Sequence, residues 1–421
     1  MLLAGVQPPR AQRQIASLGI GERSSERSST AKQGRLDRES LTGTSMVDDV
    51  QASLDETLRL LQRAVPIAEG LAMAFDPDVL LPIQYAATHP IDPERALLAC
   101  RNEQQDVDVF KFRDLACAEL PIATLSLDTD SACQTSIRWQ ELNVPRGRRQ
   151  ELRAVMLDPR GVCWGALALY RHDRTPFSPS DIERVRRVLA ERATHLALSM
   201  VASRAAGIPT EATALLISEG GAVIAAPERA MRWLDEIRCL DRLDRLGMLL
   251  ASLAARIRGG AERSVEHLAV RVRMRSAGGA WTTLLAEPLT GDVLHRVSVV
   301  VMPTDSAQLL PLLVAAYGLS AREADVVDQV LEGLDTKAIA DRLCISVNTV
   351  QDHLKSVFDK TGVRSRRELA YVFTREPQPV SNGRLSARPS GRSPAGRATS
   401  ARSVPQRVKD DELGVDQSRD R

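Results

Sequence analysis

Leu319-Ser320-Ala321-Arg322-Glu323-Ala324 and, further on, Ile345-Ser346-Val347-Asn348-Thr349-Val350-Gln351-Asp352-His353-Leu354-Lys355 bracket the stretch on which the reading of the chain turns. Ser320 and Glu323 stand three apart, the spacing at which a hydroxyl and a carboxylate satisfy the first free N–H groups of a helix. Ala324, Val327 and Leu331 then recur at helical spacing as its expected buried face, and Gly333 supplies a stop. Asp335 is placed to cap a second, short helix with Ile339, Ala340 and Leu343 on one side. Ser346 caps a third, whose Val350, Leu354, Val357 and Phe358 form one apolar stripe. Ser365-Arg366-Arg367-Glu368 repeats the first capping pattern ahead of Leu369, Val372 and Phe373, giving a fourth helix.

The third helix leaves Asn348, Thr349, Gln351, Asp352, Lys355 and Asp359 opposite its apolar stripe. One buried face and one face of hydrogen-bonding side chains is what a helix needs to lie in a DNA major groove. Gln351, Asp352 and Lys355 are the candidates for base edges. Lys337, Asn348, Thr349 and Arg366 are the candidates for the phosphate backbone.

At these residues the segment resembles the helix-turn-helix of LuxR-type bacterial transcription regulators. The resemblance rests on Leu319-Ser320-x-Arg322-Glu323, Gly333, Lys337-x-Ile339-Ala340-x-x-Leu343, Ile345-Ser346-x-x-Thr349-Val350-x-x-His353-Leu354, Lys360-x-Gly362-Val363 and Ser365-Arg366-x-Glu368-Leu369. It runs through all four helices at fixed offsets but covers only the C-terminal end of the chain. Members often carry Lys where Gln351 stands, and Asp352 puts a carboxylate close to DNA. Either Gln351 reads adenine and Asp352 a cytosine amino group, or binding is weaker.

At 421 residues, 43% of them hydrophobic and 26% charged, the chain is long enough for several domains with ample core. Aromatic residues make up only 3%, which argues against stacking platforms for single-stranded nucleic acid. With a net charge of +2 the chain as a whole is no polycation and does not advertise broad electrostatic binding. The six cysteines form no Cys-x-x-Cys pair and read as free thiols in a reducing compartment. No long apolar run or signal-peptide core appears, so a cytoplasmic protein without membrane contact is expected, nucleoid-associated when on DNA.

Residues 1–45 read as a disordered extension, and Met46, just before the first helical pattern, is a candidate translation start. Val50, Leu54, Leu58, Leu61 and Val65 make an amphipathic helix over 47–69. Short apolar runs follow, from Val79 to Tyr85, from Ala96 to Ala99 and around Phe110. Leu152 to Leu157 and Val162 to Tyr170 then read as a hairpin around Asp158-Pro159-Arg160-Gly161, and Phe177-Ser178-x-x-Asp181 caps a long helix. This order, with Gly165 near the middle of the strand pair, resembles the end of a GAF-type sensory domain, drawn over 46–203. Ala205 to Glu211 reads as a linker. Ala214 to Ser218, Glu219-Gly220-Gly221, Ala222 to Ala225 and the helix opened by Pro227 resemble the start of a PAS-type domain, drawn over 210–304. Leu246 to Ile257 reads as a helix and a Gly278-Gly279 turn as punctuation before Trp281 to Ala286 and Val297 to Met302. Alternation in Leu268-x-Val270-x-Val272-x-Met274 assigns Arg271, Arg273 and Arg275 to a solvated face rather than an anion site. The helix-turn-helix domain is drawn over 305–375, and an Arg-rich tail without regular structure over 376–421. The fold class expected is thus α+β sensory domains, GAF-like and PAS-like with antiparallel sheets and helices, followed by an all-α four-helix helix-turn-helix domain.

No phosphate-binding loop, nucleophile elbow or His-Glu-x-x-His pair is present, and the six histidines stand isolated. No enzyme activity, no cofactor and no metal ligand are therefore expected. The expected function is a DNA-binding transcription regulator, a homodimer on double-stranded DNA, with N-terminal domains that sense a small-molecule ligand or a partner. Contact with RNA polymerase is a further expectation. Two alternatives stand beside it: a constitutive regulator whose N-terminal domains only scaffold, and a protein-interaction module with weak DNA binding.

Overall fold

The computed structural model of the chain describes residues 46–201, 211–239, 245–261, 269–275, 280–289 and 296–374. The expected 1–45 extension, most of the 205–211 linker, the Gly278-Gly279 turn and the 376–421 tail lie outside the described residues. Helix α1, Met46–Ala64, buries Val50, Leu54, Leu58 and Leu61. It stops before Pro66 rather than running to Glu69, because proline cannot donate the next helical hydrogen bond. Glu69 instead opens strand β1, Glu69–Asp76, which pairs with β2, Leu81–Ala87. Next come α2 (Pro93–Gln104), α3 (Phe112–Ala116), β3 (Ile122–Ser126), α4 (Ala132–Thr135) and a single wide π turn at Trp139–Asn143. The expected hairpin is β4, Gln150–Leu157, with β5, Cys163–Arg171. Helix α5, Pro179–Val201, starts where Ser178 Oγ accepts from Asp181 N at 3.2 Å and Asp181 accepts from Ser178 N at 2.9 Å.

These strands form one antiparallel sheet in the order β2-β1-β5-β4-β3, with α1 and α5 packed together over one face. Gly165 is where that packing is tightest. A Cβ there would sit 2.2 Å from the Met73 carbonyl oxygen and 2.9 Å from a Leu196 methyl, so no side chain fits between the sheet and α5.

A second antiparallel sheet follows. Strands β6 (Thr213–Ile217) and β7 (Val223–Ala225) form the second expected hairpin, then α6 (Glu228–Cys239), α7 (Arg245–Ala261), β8 (Val270–Arg275), β9 (Trp281–Pro288) and β10 (Val297–Pro303). The order is β7-β6-β10-β9-β8, so each sheet places its own strands as second, first, fifth, fourth and third. Leu215, Ile217, Val272, Leu284 and Val299 share a core with Leu253 of α7. Among the described residues no helix is long and apolar enough to cross a membrane.

The arginines of β8 do not form one solvated face. Arg271 is exposed, but Arg273 is buried and donates to Asp76 from its backbone N at 2.7 Å, from Nε at 3.1 Å and from a terminal nitrogen at 2.8 Å. Arg275 lies over the Trp281 ring at 4.6 Å. Alternation places Arg273 opposite the β8 core face correctly. What covers that opposite face is the end of β1 from the first sheet, which strand periodicity within β8 does not encode.

Helix α8, Ser306–Ala316, packs against α5 and leads into the four C-terminal helices. Arg160, at the β4–β5 turn, donates to the carbonyls of Leu319 at 2.6 Å and Val314 at 3.4 Å, and to that of Ala315. These bonds tie the β4–β5 turn to the end of α8 and the residues that follow it. The first sheet, α8 and the C-terminal helices share one continuous apolar core.

Gly165→Ala is expected to destabilise the protein by about 1–3 kcal/mol, the usual cost of overpacking, read as a lowered urea midpoint at unchanged slope. Arg273→Leu leaves Asp76 buried without its counter-charge and is expected to cost about 3–5 kcal/mol. Adding Asp76→Leu should restore much of that loss, and a double variant no more stable than Arg273→Leu would argue against the pair.

Candidate nucleic-acid interface

The C-terminal helices are α9 (Ala321–Leu331), α10 (Thr336–Leu343), α11 (Val347–Thr361) and α12 (Arg366–Thr374). Their starts follow the local chemistry read from the sequence. Ser320 and Glu323 make the reciprocal capping box, Asp335 accepts from Ala338 N at 2.8 Å, and Ser346 accepts from Thr349 N at 3.1 Å. Ser365 accepts from Glu368 N at 3.1 Å. The α10–α11 turn is made by Cys344 in the left-handed region at φ 54°, unusual for a residue with a side chain.

The buried face of α9 is Glu323, Val326, Val327 and Val330, while Ala324 and Leu331 are only half-buried. The expected stripe is thus rotated, and Glu323 is the reason. Beyond capping α9 it accepts from Ser356 Oγ and from Lys360 Nζ, both at 2.6 Å, which ties α9 to α11. Burial opposes ionisation of this carboxyl, but the hydrogen bonds from Lys360, Ser356 and Ser320 outweigh it and hold its pKa at about 2. Sequence reasoning stopped at the capping role. Ser356 and Lys360, four apart on one side of α11, were the available signal.

On α11, Val350, Leu354 and Val357 are buried, and Asn348, Gln351, Asp352 and Lys355 are exposed together near its N-terminal half. Thr349 is half-buried with its hydroxyl 2.9 Å from that of Ser346. Lys337 is exposed at the start of α10. Lys337, Lys355, Arg364 and Arg367 make no ion pair among the described residues, whereas Arg342 is held by Glu332 at 2.6 Å. Arg366 spends two nitrogens on Leu334 O at 2.8 Å and Thr336 Oγ1 at 2.7 Å, pinning α12 to the start of α10. The structure therefore brings the base-edge candidates onto one surface and gives Arg366 a packing role that its sequence position did not announce.

Residues 318–373 match the family model described as bacterial regulatory proteins, luxR family. Over 51 residues the chain is 47% identical to a monoamine regulon transcriptional regulator of Klebsiella aerogenes, spanning 12% of this chain and 22% of that one. Residues 318–373 are a LuxR-type helix-turn-helix domain. A putative HTH-type transcriptional regulator of Mycobacterium bovis is 46% identical over 61 residues, 14% of this chain and 7% of its own length. The chain thus spans less than a quarter of either relative. Among solved structures, a GAF domain/HD domain protein from Geobacter sulfurreducens matches 36% of this chain and 95% of its own at 17% identity, with a TM-score of 0.24. At that score the superposition carries no argument.

Ionisation of Glu323 stabilises the LuxR-type domain fully above about pH 4.5, and that contribution is lost as the pH falls towards about 2. Glu323→Gln should lower stability at neutral pH by on the order of 2–3 kcal/mol and flatten the acid-side decline between those values. An acid-unfolding profile that keeps the parent slope in the variant would contradict the assignment.

Proposed function

We propose that the chain is a sequence-specific transcription regulator that reads double-stranded DNA as a dimer, with its two sheet modules sensing a ligand or partner. The observation that carries the reading is the surface of α11. Val350, Leu354 and Val357 anchor the helix inward, and Asn348, Gln351, Asp352 and Lys355 stand free for a groove. Gln351 offers the donor and acceptor pair that matches adenine, and Asp352 an acceptor that matches the cytosine amino group. Lys355 stands beside them as the third base-edge candidate, and Lys337, Asn348 and Thr349 surround them as phosphate ligands, with cationic support from Arg364 and Arg367. Arg366 serves chiefly to hold α12 and α10 in place and reaches phosphate only with what its packing leaves. A dimer would place two such helices about one turn of DNA apart.

The route from the modules to the reader is α8. It is packed on α5 and joined through Arg160 to the β4–β5 turn, and the Tyr317 ring that follows it lies 6.0 Å from Phe373 of α12. A ligand that favours one seating of α8 would shift the population of reader positions by its difference in affinity for the two states.

Salt-dependent gel shifts on fragments selected by the protein test the reading. Lys337→Ala should weaken binding on all sequences and lower the salt slope by about 1, and Lys355→Ala should weaken binding most on the preferred site. Gln351→Ala should cost about 1–3 kcal/mol on the preferred site and little on others. Unchanged binding by all three variants would refute the groove assignment.

A further inference from the structure

A cavity of about 130 Å³ lies between β1 and α2, and Met248 and Ser252 of α7 complete its wall from the second sheet module. Apolar side chains with surface to spare line it. Leu71, Leu80, Ile91 and Met248 are only half-buried, and they pack against Met73, Phe75, Phe112 and Tyr170 of the same wall. A cavity of roughly 150 Å³ with an apolar lining stays dry and takes benzene, so this space suits a single ring. The sulfurs of Met73 and Met248 add the soft contacts that a thioether makes with an aromatic ring.

The charged groups around this space are committed to one another. Arg148 is paired with Glu69 and Arg153 with Glu103, and Arg138 meets Glu151 at 3.2 Å. Arg95 and Arg113 stand 3.8 Å from Asp92 and Asp114, and Arg146 stands 3.9 Å from Glu69. Asn143 Nδ2 and Arg148 Nε, without hydrogen-bond partners among the described residues, have essentially no accessible surface and are out of reach of an occupant. A charged occupant would have to break an existing pair to be met, which is costly. The wall therefore selects an uncharged molecule.

On the side of the second module the wall is held in a strained form. Leu80 sits in the left-handed region at φ 54°, a conformation that strains a residue with a side chain. The residues before it are gripped from the second module. Arg273 donates to Asp76 at 2.8 Å and to Asp78 at 2.5 Å, and Arg256 donates to Val79 O at 3.1 Å. Arg256 also donates to Gln104 Oε1 at 2.7 Å, so the same helix that carries Met248 holds both the β1–β2 turn and the end of α2. Cys100 of α2 completes the contact, its Sγ donating to Met248 O at 3.6 Å.

We propose that this cavity is a ligand site shared by the two sheet modules and that it takes a small uncharged aromatic molecule. The ring is received by Leu71, Leu80, Ile91 and Met248, whose remaining surface it covers. Because Met248 belongs to α7, and Leu80 follows a turn that the second module grips, the site is complete only where the two modules are docked. An occupant therefore touches both and tightens the α2–α7 contact. The site deepens the sensing part of the proposed function and rests on it only for the consequence that binding reaches the DNA reader.

The test uses the full chain, with toluene as probe and with benzoate and benzylammonium, which put a negative or a positive charge on the same ring, as controls. Thermal unfolding should show a saturable rise in Tm of several degrees with toluene and none with either ion. Ala99→Leu fills the cavity from α2, where Ala99 is half-buried in the wall, with a residue that favours helix. Its unliganded Tm should equal or exceed the parent's, with the toluene rise lost. Should that variant fold poorly, the unbranched Ala99→Met takes its place. Arg256→Gln loosens α7 from Gln104 and Val79 and should move the half-maximal toluene concentration several-fold higher. No saturable rise in the parent, an equal rise with either ion, a rise that survives filling at Ala99, or an unchanged half-maximal concentration in Arg256→Gln would overturn the proposal. Gel shifts on selected DNA separate the site from the sensing reading. A toluene rise without a change in DNA affinity upholds the site and defeats the sensing reading, whereas intact DNA binding without any toluene rise defeats the site and leaves the regulator reading standing.

Discussion

Charge taken out of water has to meet its counter-charge, and in this chain that requirement decides which distant elements must lie together. Glu323 is satisfied only if α11 brings Ser356 and Lys360 to it, so the position of α11 follows from one buried carboxylate on α9. Asp76 is satisfied only if β8 brings Arg273 across from the second sheet. Within the first module Arg138 meets Glu151 at 3.2 Å, and Arg171 meets Asp181 at 3.1 Å where α5 begins. Such pairs add little net stability compared with well-packed apolar substitutes, but breaking one is costly. Their effect here is to exclude other arrangements of the same helices and sheets. With aromatic residues at only 3% of the chain, guanidinium groups also take up packing that rings often provide, as where Arg153 covers Phe112 at 3.7 Å.

The parts of the fold that were legible in the sequence are those whose cause is local. Ser320, Asp335, Ser346 and Ser365 announce helix starts because each satisfies an N–H within three residues of itself. The two hairpins were legible because turn residues at Asp158 to Gly161 and Glu219 to Gly221 separate apolar runs. Strand β1 and helix α2 were not. Proline 66 is the only local mark separating α1 from β1, and the apolar face of α2 is short because α2 packs on α7 partly through the polar residue Gln104. Arg273 was misread for a related reason. Its partner Asp76 lies 197 residues away, and a period of two says which face a side chain takes but not what covers it. At the reader surface the alternation of inward and outward residues on α11 was readable, whereas the second role of Glu323 and the packing role of Arg366 depend on contacts between helices.

The proposed function divides the chain between a C-terminal reader and a path into it. The LuxR-type domain holds its helices by caps and one buried carboxylate, leaving Asn348, Gln351, Asp352 and Lys355 of α11 exposed. Arg160 and α8 bind that domain to the first sheet, while α7 and Arg273 bind the first sheet to the second. A change at the α2–α7 contact would therefore have a continuous chain of packed elements to act through. Cys100, Cys133 and Cys163 are buried, and burial pushes Cys100 up to about 11 and Cys133 and Cys163 up to about 12, so these thiols stay protonated and unreactive. Redox chemistry at those three is not part of the path.

The central claim is that the exposed face of α11 enters a major groove. Methylation interference on DNA fragments recovered with the full-length protein reports contact with guanine N7 atoms, which only the major groove presents. The account predicts interference at two short clusters about one helical turn apart, fading at the affected bases when Gln351 is replaced by Ala. Binding that no N7 methylation disturbs, with the phosphates alone protected, would contradict it.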